Sequence, residues 1–176
     1  TELLSPVRGR VLDVGSGTGV NFQFFDSSCE ITALDPSPTM INIAKSKAGN
    51  QSNIQFVNHG IDDSTLDNLF QENSFDYIVS TLVLCSVPDP INALNRFHKW
   101  LKPDGNLVVM EHIHASKKIN RSWQRMINPV WKACGDGCNL TRDTDQLIRQ
   151  NGFQPIKEDY FRRTLRFYSG EFQPVV

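Results

Sequence analysis

A chain of 176 residues, 39% hydrophobic and 21% charged, is long enough for one buried core and too ordinary in composition for a disordered or fibrous protein. Its net charge of −1 argues against a dedicated nucleic-acid binder, which carries a basic excess. No apolar run approaches the roughly 20 residues needed to cross a bilayer, no signal peptide is visible, and Cys29, Cys85, Cys134 and Cys138 are too few for a disulfide framework, so a reducing, cytoplasmic setting is expected.

Strand and helix signals alternate along the first 110 residues. Val11–Val14 reads as a strand and Asn21–Phe25 as the start of a helix. Ile31–Leu34 is a second strand. Ser37-Pro38 then offers an N-cap with proline at the first helical position, followed by Met40, Ile41, Ile43 and Ala44 as an apolar face. Ile54–Val57 is a third strand, and Asp76–Thr81 a fourth, apolar enough to be buried on both faces. Asp89-Pro90 opens a helix that places Ile91, Leu94, Phe97, His98 and Leu101 on one side. Pro103-Asp104-Gly105-Asn106 is a turn, and Leu107–Met110 a fifth strand.

Such alternation predicts βαβ units: a single α/β domain over residues 1–176, Rossmann-like and doubly wound, on a mostly parallel seven-stranded sheet. Residues 115–140 break the pattern and read as a substrate-side insertion, with Trp123, Ile127 and Trp131 as one apolar face and Pro129 as a kink. Thr141 caps a helix from about Arg142 to Asn151, which Gly152 ends. The tail supplies two last strands, with Arg162, Arg163 and Arg166 on a solvated face.

The strongest local signal is the strand–turn Val11-Leu12-Asp13-Val14-Gly15-Ser16-Gly17-Thr18-Gly19. Gly15 and Gly17 allow a sharp turn and close approach to a ligand. A dinucleotide fingerprint would need a small residue where Val20 stands, and a pyrophosphate would not favour Asp13 nearby. A cationic amino group would, which points to a ligand with an amino-acid end, such as S-adenosylmethionine. Asp35, ending the second strand, is placed to accept from ribose hydroxyls. Within His59-Gly60-Ile61-Asp62, Ile61 is suited to pack on adenine and Asp62 to accept from its amino group. Ser80-Thr81-Leu82-Val83 borders the same edge of the sheet, where ligands of open α/β sheets bind.

Leu12 to Gly19, Asp35, Asp76–Thr81 and Lys102-Pro103-Asp104-Gly105 resemble the class I methyltransferases. Asn21 to Phe25, Leu34-Asp35-Pro36, Thr81 to Val87, Glu111-His112, Trp131-Lys132 and Gly135-Asp136-Gly137-Cys138 with Leu140-Thr141-Arg142 are similar to the methyltransferase-like family that includes animal alkyl thiol S-methyltransferases. The resemblance covers roughly residues 8–153. It implies S-adenosyl-L-methionine as cofactor, S-adenosyl-L-homocysteine as product and a small-molecule acceptor, and it adds Thr18, Asn21 and Pro36 to the cofactor-side residues. The hydrophobic leader of the animal members has no counterpart here, so membrane attachment does not carry over.

A sulfonium methyl is already activated, so orienting the acceptor is the main requirement. A thiol needs only a modest push to thiolate, and the alternatives are an oxygen, nitrogen or carbon acceptor such as a quinone or phenol, or a module that binds without chemistry. Glu111, His112 and His114 are the acceptor-side candidates, with His112 as a general base or, equally simply, a packed histidine. Asp136 either makes its turn or, on the resemblance, acts at the site. Cys134 and Cys138 with His112 or His114 lack a second ligand pair, and no metal is expected.

Overall fold

The computed structural model describes residues 2–115, 118–135, 137–162 and 165–175. Its seven strands are β1 Arg10–Val14, β2 Glu30–Leu34, β3 Ile54–Val57, β4 Phe75–Thr81, β5 Leu101–His112, β6 Phe153–Arg162 and β7 Arg166–Pro174. They form one sheet in the order β3-β2-β1-β4-β5-β7-β6. The pairings from β3 through β5 are parallel, while β7 lies antiparallel between β5 and β6. The expected doubly wound architecture is thus present.

Alternation along the strands sends side chains into two cores. Leu12, Ile78, Leu107 and Val109 join one cluster with Phe97, Trp100 and Phe153, whereas Val11, Val79 and Val108 join another with Val7, Cys29 and Ile31. Both faces of the central strands are therefore covered, which is why they read as apolar runs. The helices are α1 Pro38–Ala48, α2 Leu66–Leu69, α3 Pro90–Trp100, α4 Lys118–Cys134 and α5 Thr144–Gln150. Ser37 Oγ accepts from Met40 N, and Asp89 caps α3 through the amides of Ile91 and Asn92, as the two capping signals predict. Among the described residues no helix is long and apolar enough to cross a membrane.

Several local readings change. Asn21–Phe25 yields only a 3-10 turn at Phe22–Phe24, because Asn21 is engaged elsewhere and Phe25 must turn into the core. In α1, Ile41 and Ala44 are buried but Met40 and Ile43 are exposed, and Ile91 of α3 is likewise exposed. The turn at Pro103–Asn106 lies inside β5: Phe75 pairs with Leu101 and Tyr77 with Asn106, so the intervening residues bulge from the ladder. Helix α5 begins at Thr144, not Arg142. Asn139 Oδ1 takes the Thr141 amide and hydroxyl in a local turn, and Arg142 is held by the loop after β4. Pro129 does lie within α4. However, Trp123 is exposed while Ile127 packs inward against Cys85, Cys138 and Leu140, so the two do not share a buried face.

Strand order reverses between β1 and β4, and the crevice beyond their carboxyl ends is where such sheets bind ligands.

Candidate functional site at the switch point

A cleft of about 620 Å³ opens at this point. Its walls include Gly15, Gly17, Asp35, Pro36, Gly60, Ile61, Asp62, Thr81 and Leu82, nine of the expected cofactor-side residues. Asp13, Thr18 and Asn21 are not part of this lining; Asp13 is buried and the other two are half-buried.

The loop after β1 is shaped by its glycines. Gly15 has φ +61°, and a Cβ there would lie 2.4 Å from Val83 Cγ2. Gly17 has φ +53°, but its Cβ would meet nothing nearer than 3.9 Å. Gly15 thus serves close packing, while Gly17 keeps the floor of the cleft open. The Gly17 amide donates to Asp35 Oδ2 (2.9 Å) and the Ser37 amide to Asp35 Oδ1 (2.8 Å). Asp35 therefore ties the loop to the start of α1 while bordering the cleft.

Asp13 is fully buried. Its Oδ1 accepts from Asn21 Nδ2 (2.8 Å), which also reaches Thr81 Oγ1 (3.0 Å), whereas Oδ2 has no partner among the described residues. Burial pushes the carboxyl up to about 7, against the pull of the Asn21 amide, and the nearby Asp35 adds to the rise.

The segment after β3 is pinned from α3. Arg96, buried, donates to the carbonyls of Ile61 (2.6 Å) and Asp63 (2.7 Å) and to Asp67 Oδ2 (2.9 Å). Sequence reading missed it, although an arginine on the buried face of an amphipathic helix is itself a signal that it has partners. His59 pairs with Asp63 at 2.7 Å. The Thr65 amide, then His59, hold the Asp63 carboxyl down at about 2.

The loop after β4 is clamped from both sides. Leu82 is in the left-handed region at φ +62°, a strained position for a branched side chain that leaves it in the cleft wall. Glu111, expected on the acceptor side, is fully buried and has a different task. Its Oε1 accepts from Ser80 Oγ (3.1 Å), Val83 N (3.0 Å) and Leu84 N (2.9 Å), and its Oε2 from Cys85 N (3.0 Å). Burial pushes this carboxyl up, opposed by the amides of Leu84, Cys85 and Val83. From the other side, Arg142 donates to the carbonyls of Leu84 and Val87. Neither role is visible in sequence, since the partners lie 26 to 58 positions away.

His112 does not line the cleft. Its Nδ1 lies 3.3 Å from Cys138 Sγ and its ring 4.4 Å from that of Phe167. Cys138 Sγ in turn lies 3.5 Å from Cys85 Sγ. The contacts with Cys85 and His112 pull the Cys138 thiol down, and the contact with Cys138, with burial, pushes the Cys85 thiol up. Cys134, thought of with Cys138, is exposed and outside this group. His114 is buried, with Nδ1 3.6 Å from Asp143 Oδ1. Arg166 is not simply solvated: it donates to the His114 carbonyl and lies over the Tyr160 ring. Asp136, Arg163 and the Arg162 side chain fall outside the described residues.

Residues 1–158 match a family described as a methyltransferase domain. The chain is 33% identical over 151 residues to the thiol S-methyltransferase TMT1B of Rattus norvegicus, covering 85% of this chain and 62% of that protein. It is 36% identical over 130 residues to the demethylmenaquinone methyltransferase of Staphylococcus epidermidis, covering 69% of this chain and 52% of that one. The chain thus spans less than two thirds of either relative. The structure of the YcgJ protein of Bacillus subtilis superposes with a TM-score of 0.76 at 14% identity, covering 96% of this chain and 93% of that one. A chain whose first 158 residues match that family, and whose sheet and switch-point cleft follow its architecture, belongs to it: this is a class I, S-adenosyl-L-methionine-dependent methyltransferase domain.

Proposed function

We propose that the domain methylates a small apolar acceptor, and that this acceptor is an alkyl thiol. Two observations support cofactor binding here: Oδ2 of buried Asp13, outside the cleft lining and without a partner among the described residues, is suited to a cationic amino group, and there is open space at Gly17. When bound, S-adenosylmethionine supplies a methyl group on a positively charged sulfur, already activated for displacement. In this reading Asp13, Thr18, Asn21, Gly15 and Gly17 hold the amino-acid end. Asp35 and Pro36 face the ribose, Ile61 packs on adenine beside Gly60, and Asp62 accepts from its amino group. Thr81 and Leu82 border the transferring methyl.

The observation that carries the acceptor class is the distribution of titratable groups. Among the described lining residues these are Asp35, His59 and Asp62, all on the β2–β3 side. The β4 side presents Thr81, Leu82, Val83, Ser86, Val87 and Pro88, mostly apolar, with two hydroxyls but no carboxylate or imidazole. Such a wall orients an apolar molecule but does not deprotonate it. A thiol, ionising near pH 8.5, needs the least help among the common acceptors. The named activity of the rat relative agrees with this class, and that of the staphylococcal relative favours a quinol ring as the second reading.

Incubation with S-adenosylmethionine and a panel of alkyl thiols, quinols, phenols and amines decides between them. Adenosylhomocysteine release with the thiols, rising with pH as the thiol ionises, is the expected result. Turnover confined to quinols or phenols would replace the thiol assignment by the second reading. Cofactor binding without turnover on any acceptor would reduce the domain to a binding module.

A further inference from the structure

Cys85, His112 and Cys138 come from three separate segments: the loop after β4, the last residue of β5 and the loop after α4. Their ligand atoms all lie within 4.8 Å of one another. The sulfurs are 3.5 Å apart, and His112 Nδ1 is 3.3 Å from Cys138 Sγ. A tetrahedral zinc ion with Zn–S near 2.3 Å and Zn–N near 2.0–2.1 Å holds its sulfurs about 3.8 Å apart and sulfur from nitrogen about 3.5 Å apart. The two separations that involve Cys138 are within a few tenths of an ångström of that arrangement, and the third, between Cys85 and His112, is no more than 4.8 Å.

Each ligand is also held in place. The Cys85 amide donates to Glu111 Oε2 and its carbonyl accepts from Asn139 N (2.8 Å). Cys138 N donates to the Gly135 carbonyl (2.8 Å), and the His112 ring is braced by Phe167. Leu140 and Ile127 cover the pair of thiols with apolar surface. Backbone fixed by Glu111 and Asn139, with apolar cover on one side, holds the ligand side chains in place. A disulfide would need a separation near 2.05 Å and no third ligand.

We propose that Cys85 Sγ, Cys138 Sγ and His112 Nδ1 form a binding site for a single thiophilic divalent cation, with zinc as the fitting ion. Binding replaces the thiol protons: Zn²⁺ enters, two S–Zn bonds and one N–Zn bond form, and the thiol protons leave to solvent. The site is separate from the cleft, whose wall includes Ser86 but none of the three ligands. The inference therefore stands apart from the choice of methyl acceptor.

Cobalt(II) is the probe. The chelator-treated, reduced domain is titrated with it and followed by absorption. Thiolate-to-cobalt charge transfer and intense visible bands should saturate at about one equivalent and be displaced by zinc. Cys138→Ser and His112→Ala should each weaken binding at least about tenfold, while Cys134→Ser leaves it unchanged. Zinc should raise the melting temperature of the parent but not of the Cys138 and His112 variants, provided these retain native circular dichroism. A folded parent with no saturable cobalt spectrum would overturn the site. So would a reduced protein that binds no cobalt but loses about two mass units under mild peroxide, which would make Cys85 and Cys138 a redox pair instead.

Discussion

Replacing Glu111 with alanine should destabilise the domain by about 3–5 kcal/mol, the largest effect of any single change at the site. The carboxylate takes four hydrogen bonds in a position without solvent: from the Ser80 hydroxyl and the amides of Val83, Leu84 and Cys85. Its removal strands these donors, each at a cost of about 1–3 kcal/mol, partly offset by relief from burying a carboxyl. Glu111→Gln keeps the shape but turns a donor toward one of those donors, and should cost less, about 2 kcal/mol. Because Leu82, Val83, Ser86 and Val87 form the cleft wall, adenosylhomocysteine binding should weaken in parallel. Urea unfolding of the three proteins gives the answer. A loss within about 0.5 kcal/mol for Glu111→Ala would mean that the loop after β4 is held by other contacts.

The second large effect concerns Asp13 and is readable in pH. Its carboxyl titrates near 7 in the free domain, because burial penalises the ionised form. A cationic amino group binds the ionised form. Affinity for adenosylhomocysteine should therefore rise with pH, by about tenfold between pH 6 and pH 8, and then level off. Asp13→Asn should lose both the affinity and the slope.

The same variant should behave oppositely in stability. An acid whose folded value lies above its unfolded value of 3.8 destabilises the fold increasingly as pH rises between the two, and fully above about 7. Asp13→Asn should thus stabilise the ligand-free domain at pH 8, by roughly 1–3 kcal/mol, while impairing binding. A pH-independent affinity in the parent would show that Asp13 does not face the ligand's charge.

How much of this was legible in the sequence depended on how far apart the interacting residues lie. The central strands β1, β4 and β5 were readable because a strand buried on both faces is an apolar run, the outer β2 and β3 by their short β-branched and aromatic segments, and Ser37-Pro38 and Asp89-Pro90 because a cap acts within three residues. The cleft-lining segments were readable because each sits just after a strand end. Glu111, Arg96 and Arg142 were not, because what they do is satisfy backbone groups of segments that only the fold brings near. Spacing offered only Cys134 beside Cys138 and no second ligand pair, whereas the fold delivers Cys85 from 53 positions away. Met40 and Ile43 show the opposite error: helical periodicity placed them in the core, but their part of α1 faces outward, with Met40 at the cleft.

Calorimetric titration with S-adenosylhomocysteine, run on the parent and on Asp35→Ala, tests the central claim most directly. Asp35 borders the cleft and ties the glycine loop, through the Gly17 amide, to the start of α1, through the Ser37 amide. Saturable binding by the parent, weakened tenfold or more (about 1.4 kcal/mol) in the folded variant, is the predicted result. A natively folded parent that does not bind, or a variant that binds as tightly as the parent, would contradict it.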